Sequence, residues 1–139
     1  MRLYAVTDTH DIVIQVSTQH IPEMSSEKFQ EVHAYRIRIV NLGTVPVRLL
    51  HRHWYFETGS LGGPVIEASG EGVLGQKPIL RPGQCFEYYS GTSLTTPWGH
   101  MYGEFTFTRD VSGSDDDATS EFKARIDRTL LAGASAPSQ

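Results

Sequence analysis

The alternation of apolar and polar residues along the chain predicts β-strands. Two segments show it most clearly, with apolar side chains at every second position: Ile12, Ile14 and Val16, then Tyr35, Ile37 and Ile39. Because successive side chains in a strand point to opposite faces, each segment would bury one face and expose the other. No long segment has the period of an amphipathic helix.

The same pattern predicts further strands over residues 45–57, 65–68, 84–89, 100–108 and 121–129. Turn-forming residues separate them. Asn41-Leu42-Gly43 predicts a hairpin, and Arg81-Pro82-Gly83-Gln84 predicts a turn with proline at its second position. Several short strands with one apolar face each indicate an all-β fold, an antiparallel two-sheet β-sandwich.

The predicted core combines the inward-facing residues of these strands: Ile12, Ile14, Val16, Tyr35, Ile37, Ile39, Trp54, Phe86, Phe105 and Phe107. Three polar stretches predict exposed loops or flexible segments, at residues 20–30, 112–120 and 132–139. We therefore predict a single domain over residues 1–131, followed by a flexible C-terminal tail over residues 132–139.

Composition limits the possible partners. The chain has 139 residues with 12 Lys and Arg against 16 Asp and Glu, a net charge of −4, and no basic run that would favour nucleic acid. It has no apolar run of membrane-spanning length and no signal-peptide pattern at its start. The single cysteine, Cys85, is typical of a small apolar strand residue in a reducing compartment. These features predict an intracellular, cytoplasmic protein, with an organellar matrix as the alternative.

Residues 70–75 match the glycine pattern G-x-G-x-x-G through Gly70, Gly72 and Gly75. A dinucleotide site would need a helix after the glycines, and Pro78 and Pro82 argue against one. Two interpretations remain. The glycines form an anion-binding nest of backbone N–H groups, or they permit a close backbone approach or bulge, which we favour.

Other residues suggest weaker candidate sites. His51 and His53 would share one strand face and are weak candidates for metal ligands, since no third ligand is evident. Trp98, between Pro97 and Gly99, predicts an exposed aromatic in a turn and a candidate contact for a protein partner. Glu67 and Glu71 do not form a recognisable acid/base pair. We predict no enzymatic activity and no cofactor.

Five ordered motifs resemble the ApaG (DUF525) family, and the resemblance extends over roughly residues 12–126. They are residues 49–54 (LLHRHW), 70–78 (GEGVLGQKP), 80–83 (LRPG), 86–91 (FEYYSG) and 94–103 (LTTPWGHMYG). The resemblance implies an immunoglobulin-like or fibronectin-III-like sandwich. It also implies two kinds of role: bacterial members are associated with cobalt resistance and magnesium efflux, and eukaryotic members resemble protein-binding modules.

The chain departs from the family pattern at its end. Ile126-Asp127-Arg128 lacks the proline and aromatic usual after the last strand, Asp115-Asp116-Asp117 lengthens a hairpin, and His51 replaces a serine.

The predicted fold, the lack of a catalytic set and the resemblance to eukaryotic members lead us to expect a non-catalytic protein-interaction module, either as an oligomer or as a subunit of a larger assembly. The alternatives are a binder of a phosphorylated metabolite or pyrophosphate at the glycine loop, and a role in divalent-cation homeostasis.

Overall fold

The computed structural model describes residues 2–25, 31–59, 63–109 and 120–132. The described chain forms nine strands and one short 3₁₀ turn, Pro22–Met24. The strands are β1 (Arg2–Thr9), β2 (Ile12–His20), β3 (Glu31–Asn41), β4 (Val47–Thr58), β5 (Val65–Glu71), β6 (Ile79–Leu80), β7 (Cys85–Leu94), β8 (Trp98–Thr108) and β9 (Glu121–Ala132).

The strands pair antiparallel in two sheets, which confirms the predicted sandwich. The first sheet has the order β1-β2-β3-β7, and the second has the order β5-β4-β8-β9, with the short β6 beside the start of β4. The described residues include no helix long and apolar enough to cross a membrane.

The core between the sheets contains the side chains predicted from the alternation. Nine of the ten predicted residues are buried, and Phe86 is partly buried and packs against the others. Aromatic rings occupy the centre of this core, where the Trp54 and Phe105 rings pack edge-to-face with their centroids 5.8 Å apart. Burying such rings contributes most of the packing energy of a small sandwich.

The predicted hairpin at Asn41-Leu42-Gly43 is wrong, because β3 and β4 lie in different sheets. The segment is a crossover that the Asn41 side chain holds together. Its Nδ2 donates to the carbonyls of Val45 and Leu80, both at 2.9 Å, while its Oδ1 accepts from the Gly43 N–H at 2.8 Å. The Asn41 side chain thus supplies hydrogen bonds to backbone groups of the crossover. The same ability to bond to nearby backbone groups explains why asparagine is frequent in turns.

The turn at Arg81-Pro82-Gly83-Gln84 is confirmed, with the Gln84 N–H donating to the Arg81 carbonyl at 2.9 Å and Gly83 at φ 85°. Cys85 lies in a strand, as predicted, at the start of β7; its side chain is exposed and its Sγ accepts from Arg38 Nε at 3.2 Å. Of the predicted loops and tail, at 20–30, 112–120 and 132–139, residues 26–30, 112–119 and 133–139 lie outside the described residues, and Ala132 is the last residue of β9.

The two long sides of the sandwich differ. On one side β9 packs against β1 and β2, where Thr18 Oγ1 donates to the Leu130 carbonyl at 3.2 Å and the Asp127 N–H donates to Thr7 Oγ1 at 3.1 Å. On the other side β5 and β7 are the edge strands of their sheets and do not pair with each other. The sandwich is therefore closed along β1 and β9 and open between β5 and β7.

Candidate functional site

A groove of about 490 Å³ lies on the open side, between β5 and β7. Its floor is aromatic: Tyr35, Trp54 and Tyr88 are 5%, 2% and 5% exposed. Its walls carry smaller side chains, Ile66 and Ala68 on β5 and Ser90, Gly91 and Thr92 on β7. The lining combines apolar and polar side chains, and a concave cleft of this kind is a default candidate for a binding site.

The groove depends on an irregularity in β4. The pairing of β4 with β8 shifts between Leu49 and His51, so the inward face changes from odd to even positions. Val47 and Leu49 face the core before the shift, and Trp54 and Phe56 face it afterwards. As a result Arg52, which shares the parity of Trp54, lines the groove with its charged group.

Arg52 explains the first glycine of the G-x-G-x-x-G pattern. Its Nη1 donates to the Gly72 carbonyl at 2.9 Å and to the Glu71 carbonyl at 3.2 Å. A Cβ on Gly70 would lie 3.0 Å from both Nη1 and Nη2. Glycine at this position therefore leaves room for the guanidinium group beside the edge strand.

The other two glycines shape a tight turn. A Cβ on Gly72 would lie 2.2 Å from the Gln76 carbonyl oxygen, so the backbone approach is possible only for glycine. Leu74 and Gly75 both have positive φ, 51° and 76°, and Val73 and Gln76 bridge across them. Two such residues between bridged neighbours are typical of a type I′ turn.

This geometry bears on the anion-nest hypothesis for Gly70, Gly72 and Gly75. The Gly72 N–H donates to the Leu50 carbonyl at 2.7 Å, and the Val73 N–H donates to the Gln76 carbonyl at 2.8 Å. Two central N–H groups of the loop are thus committed to the protein itself. Close backbone approach accounts for these glycines, and anion binding stays a prediction.

Tyr88 lies in the floor of the groove. Its hydroxyl is buried and lies near the Trp54 side chain. Burial raises the pKa of Tyr88, with the neighbouring Tyr35 adding to the effect, so the group remains a neutral donor. The hydroxyl lies below the groove surface, so Tyr88 contributes to the buried aromatic floor.

The two candidate metal ligands lie on the outer face of the second sheet, on the same side as predicted. His51 is exposed, while His53 Nε2 lies 2.8 Å from Glu67 Oε1 on β5 and its ring stacks on Tyr55 at 4.6 Å. Within the described part of the chain, no three His, Cys, Asp or Glu side chains lie close enough together to hold a metal ion. Metal binding at His51 and His53 stays a prediction.

The outer face of the second sheet carries a second depression, of about 600 Å³, beside Tyr55 and Tyr102. These two rings stack at 5.1 Å, and the Arg128 guanidinium lies 5.6 Å from the Tyr102 ring centroid. Arg128 also forms an ion pair with Glu57. The charges and rings here are partners of one another, so this surface resembles a solvated sheet face more than a binding site.

The structure places Trp98 at the start of β8 rather than in an exposed turn. Its ring is partly buried, and a Cβ on Gly59 would lie 2.8 Å from its Cε2 atom. The ring also meets His100 edge-on at 5.7 Å, and the Trp98 carbonyl accepts from Thr96 Oγ1 at 2.7 Å. The prediction of an exposed turn is wrong in this respect, and a partner contact through Trp98 stays a prediction.

Glu67 and Glu71, considered as an acid/base pair, are four residues apart on β5, about 13 Å along the strand. Glu67 pairs with His53, and Glu71 Oε1 lies 3.5 Å from Lys77 Nζ. They are therefore separate surface carboxylates.

Sequence reasoning missed Arg52 and Tyr88 as site residues. Arg52 follows a bulge that alternation does not reveal, and Tyr88 appeared to be one more aromatic of a strand. The available signal was the pair of glycines at 70 and 72. Because no helix follows them to bind a phosphate, the space they leave had to serve another group packed close to the backbone.

Comparison with known proteins agrees with the fold. The ApaG domain family (DUF525) matches residues 22–109. Protein ApaG of Nitrosospira multiformis is 38% identical over 122 residues, 87% of this chain and 94% of that protein, and Protein ApaG of Paramagnetospirillum magneticum is 44% identical over 116 residues, 83% and 86% of the two chains.

Among solved structures, the crystal structure of the putative ApaA protein from Bordetella pertussis superposes with a TM-score of 0.78. It is 34% identical in sequence, and the match covers 94% of this chain and 99% of that one. These matches extend over most of the chain. The chain therefore belongs to the ApaG domain family.

Proposed function

We propose that this chain is a non-catalytic protein-interaction module that binds a partner in the groove between β5 and β7. The observation that carries the proposal is the open side itself. Exposed residues of the two unpaired edge strands, Ile66 and Ala68 on β5 and Ser90 and Gly91 on β7, line a groove above buried aromatic rings. A cleft of this kind is a default candidate for a binding site.

The alternative of a phosphorylated metabolite or pyrophosphate at the glycine loop has less support. The Gly72 and Val73 N–H groups already donate within the protein, and Arg52 Nη1 donates to two carbonyls of the same loop. An anion would have to displace these contacts. No geometric observation favours a role in divalent-cation homeostasis.

Affinity capture tests the proposal. The purified chain is immobilised and incubated with an extract of its native cells, and the captured protein is then purified and titrated against the chain by calorimetry. We expect saturable binding of one protein that pyrophosphate at millimolar concentration does not displace. Binding of pyrophosphate with no captured protein would favour the alternative.

A further inference from the structure

We propose that the partner enters as an extended segment that adds an antiparallel strand to β5 and points a carboxylate and two apolar side chains into the groove. This inference rests on the proposed function and specifies the partner's chemistry. The short motif we infer is an acidic residue followed at two and at four positions by apolar residues.

The backbone of β5 has a free edge that can accept a strand. In an antiparallel pair, residues alternate between those that exchange hydrogen bonds with the neighbour and those that point them away. Gly72 donates to the Leu50 carbonyl, and it continues the register in which Glu71 is opposite His51. By this alternation the N–H and C=O groups of Val65, Glu67 and Ser69 point away from β4.

Edge strands are normally protected by proline, lysine, a covering loop or extreme shortness. β5 spans seven residues without proline or lysine, and its two charged residues, Glu67 and Glu71, pair with His53 and Lys77. Of the described strands it pairs with β4 alone. Its backbone is therefore a template for strand addition, which is a common mode of peptide recognition.

The side chains of an added strand would alternate in the same way as those of β5. Partner residues directly opposite Ile66 and Ala68 would point inward, because residues opposite each other in a sheet share a face. Ile66 is 51% exposed although it faces inward. Two apolar side chains of the partner would cover it and the aromatic floor.

The third inward position lies opposite Gly70, where Arg52 lines the groove and the nearby Glu71 side chain pairs with Lys77. The Arg52 guanidinium lies directly beneath Gly70, and the contacts with Glu71 and Gly72 use only Nη1 of its five-donor fork. A carboxylate at this position would meet Arg52. In antiparallel order the acidic residue precedes the two apolar ones.

A second copy of this chain is a poorer occupant. Its own β5 would offer Ile66, Ala68 and Gly70 as the inward residues, and only the first of these is large. Most of the 490 Å³ would remain unfilled. It would also bring no carboxylate to the inward face, because Glu67 and Glu71 have the opposite parity.

The test uses a capped seven-residue peptide with glutamate, valine and valine at the second, fourth and sixth positions and threonine elsewhere. Binding to the full chain is measured by calorimetry, with the reversed peptide as control. We expect saturable binding that is about tenfold weaker when the order is reversed or when glutamate is replaced by glutamine.

Three variants of the chain identify the site. Ser69→Pro removes an outward N–H without removing a bond to β4, and we expect binding to weaken at least about tenfold. Ser69→Ala keeps the N–H and is expected to bind as the parent does. Tyr88→Phe removes a hydroxyl that the groove does not expose, so it is a second control and is expected to bind as the parent does.

Amide hydrogen exchange distinguishes strand addition from mere occupancy of the groove. Bound peptide should slow exchange at Val65, Glu67 and Ser69, with little change at the neighbouring even positions that already bond to β4. The inference is overturned if the parent does not bind the peptide at millimolar concentration, or if binding is insensitive to Ser69→Pro. A dimer of the parent that Ser69→Pro dissociates would identify a second copy as the occupant instead.

Failure of this inference is separable from failure of the proposed function. If the native partner is captured equally by the parent and by Ser69→Pro, the chain binds proteins but not by strand addition to β5. If no partner is captured by either, the interaction module itself is refuted.

Discussion

Arg52 and the glycines around it show how individual residues shape the candidate site. Periodicity places Arg52 among the polar residues of a strand, yet the bulge at Leu50 turns it toward the groove. The sequence motif identified Gly70, but it could not show why glycine is needed there, because the guanidinium group beside it belongs to a residue of another strand. The alternation of apolar and polar residues cannot predict which side chains from different strands come into contact.

Gly72→Val should destabilise the fold. Its Cβ would lie 2.2 Å from the Gln76 carbonyl oxygen and its φ is 60°, so both the contact and the backbone conformation would be strained. We expect the free energy of unfolding to fall by at least about 2 kcal/mol in urea titrations. Gly75→Ala is the matched control, since its Cβ would meet nothing within 4 Å, and it should cost about 1 kcal/mol through its positive φ alone.

The opposite outcome for Gly72 would restore the nest hypothesis. A Gly72→Val protein that unfolds at the parent's urea concentration, yet loses pyrophosphate binding that the parent has, would show that the loop is built for an anion.

His33 should make the stability depend on pH. It is fully buried with both ring nitrogens unpartnered, and burial, with repulsion from His20, lowers its pKa from 6.5 to about 4. The unfolded chain therefore takes up a proton before the folded chain does. The free energy of unfolding should fall, by up to about 3 kcal/mol, as pH drops from about 6.5 to about 4.

The measurement is urea unfolding at pH 7.5, 6 and 5 for the parent and for His33→Phe. The variant should lose most of the slope and keep a smaller part from His100, whose pKa burial also lowers. Equal slopes for the two proteins would contradict the assignment to His33.

At the scale of strands, the structure differs from the prediction mainly at bulges and at short strands. The seven predicted strands are present, although β5, β7 and β9 extend at least three residues beyond their predicted ends. β1 and β6 were not predicted, because the first has no clear alternation and the second has only two residues. In β9 the inward face changes from Ile126 to Thr129, opposite the register shift between Met101 and Gly103 in β8.

The first residue of β8 gives a test of element packing. Trp98 is partly buried against Gly59 and His100, so Trp98→Ala should reduce the free energy of unfolding by about 1–3 kcal/mol, less than a fully buried aromatic. Chemical denaturation measures this. Capture of the native partner by the still-folded variant then tests the contact role: unchanged capture would show that Trp98 is structural.

For the whole molecule, the sequence predicted the sandwich and nearly all of its core, because period-two alternation reports which residues face inward. It did not predict the open side. Whether two sheets cover each other completely depends on their offset, and that offset is set by the crossover at Asn41 and by the packing of β9 against β1. Neither leaves a local pattern.

The open side should also be visible in the energetics of the core. Phe105 is fully buried near the centre, whereas Phe86 on the edge strand β7 is only partly buried. Phe105→Ala should cost about 3–5 kcal/mol, and Phe86→Ala clearly less, in urea unfolding. Equal losses would indicate that the β7 edge is covered as fully as the centre.

The exposed thiol of Cys85 provides a built-in reporter for the groove. It is the single cysteine of the chain, and it begins the strand that forms one groove wall, so a maleimide dye or spin label would attach there without any mutation. At about 3.3 Å per residue, the label would stand about 10 Å along β7 from Tyr88. Fluorescence or paramagnetic relaxation could then follow occupancy of the groove in the unmutated protein.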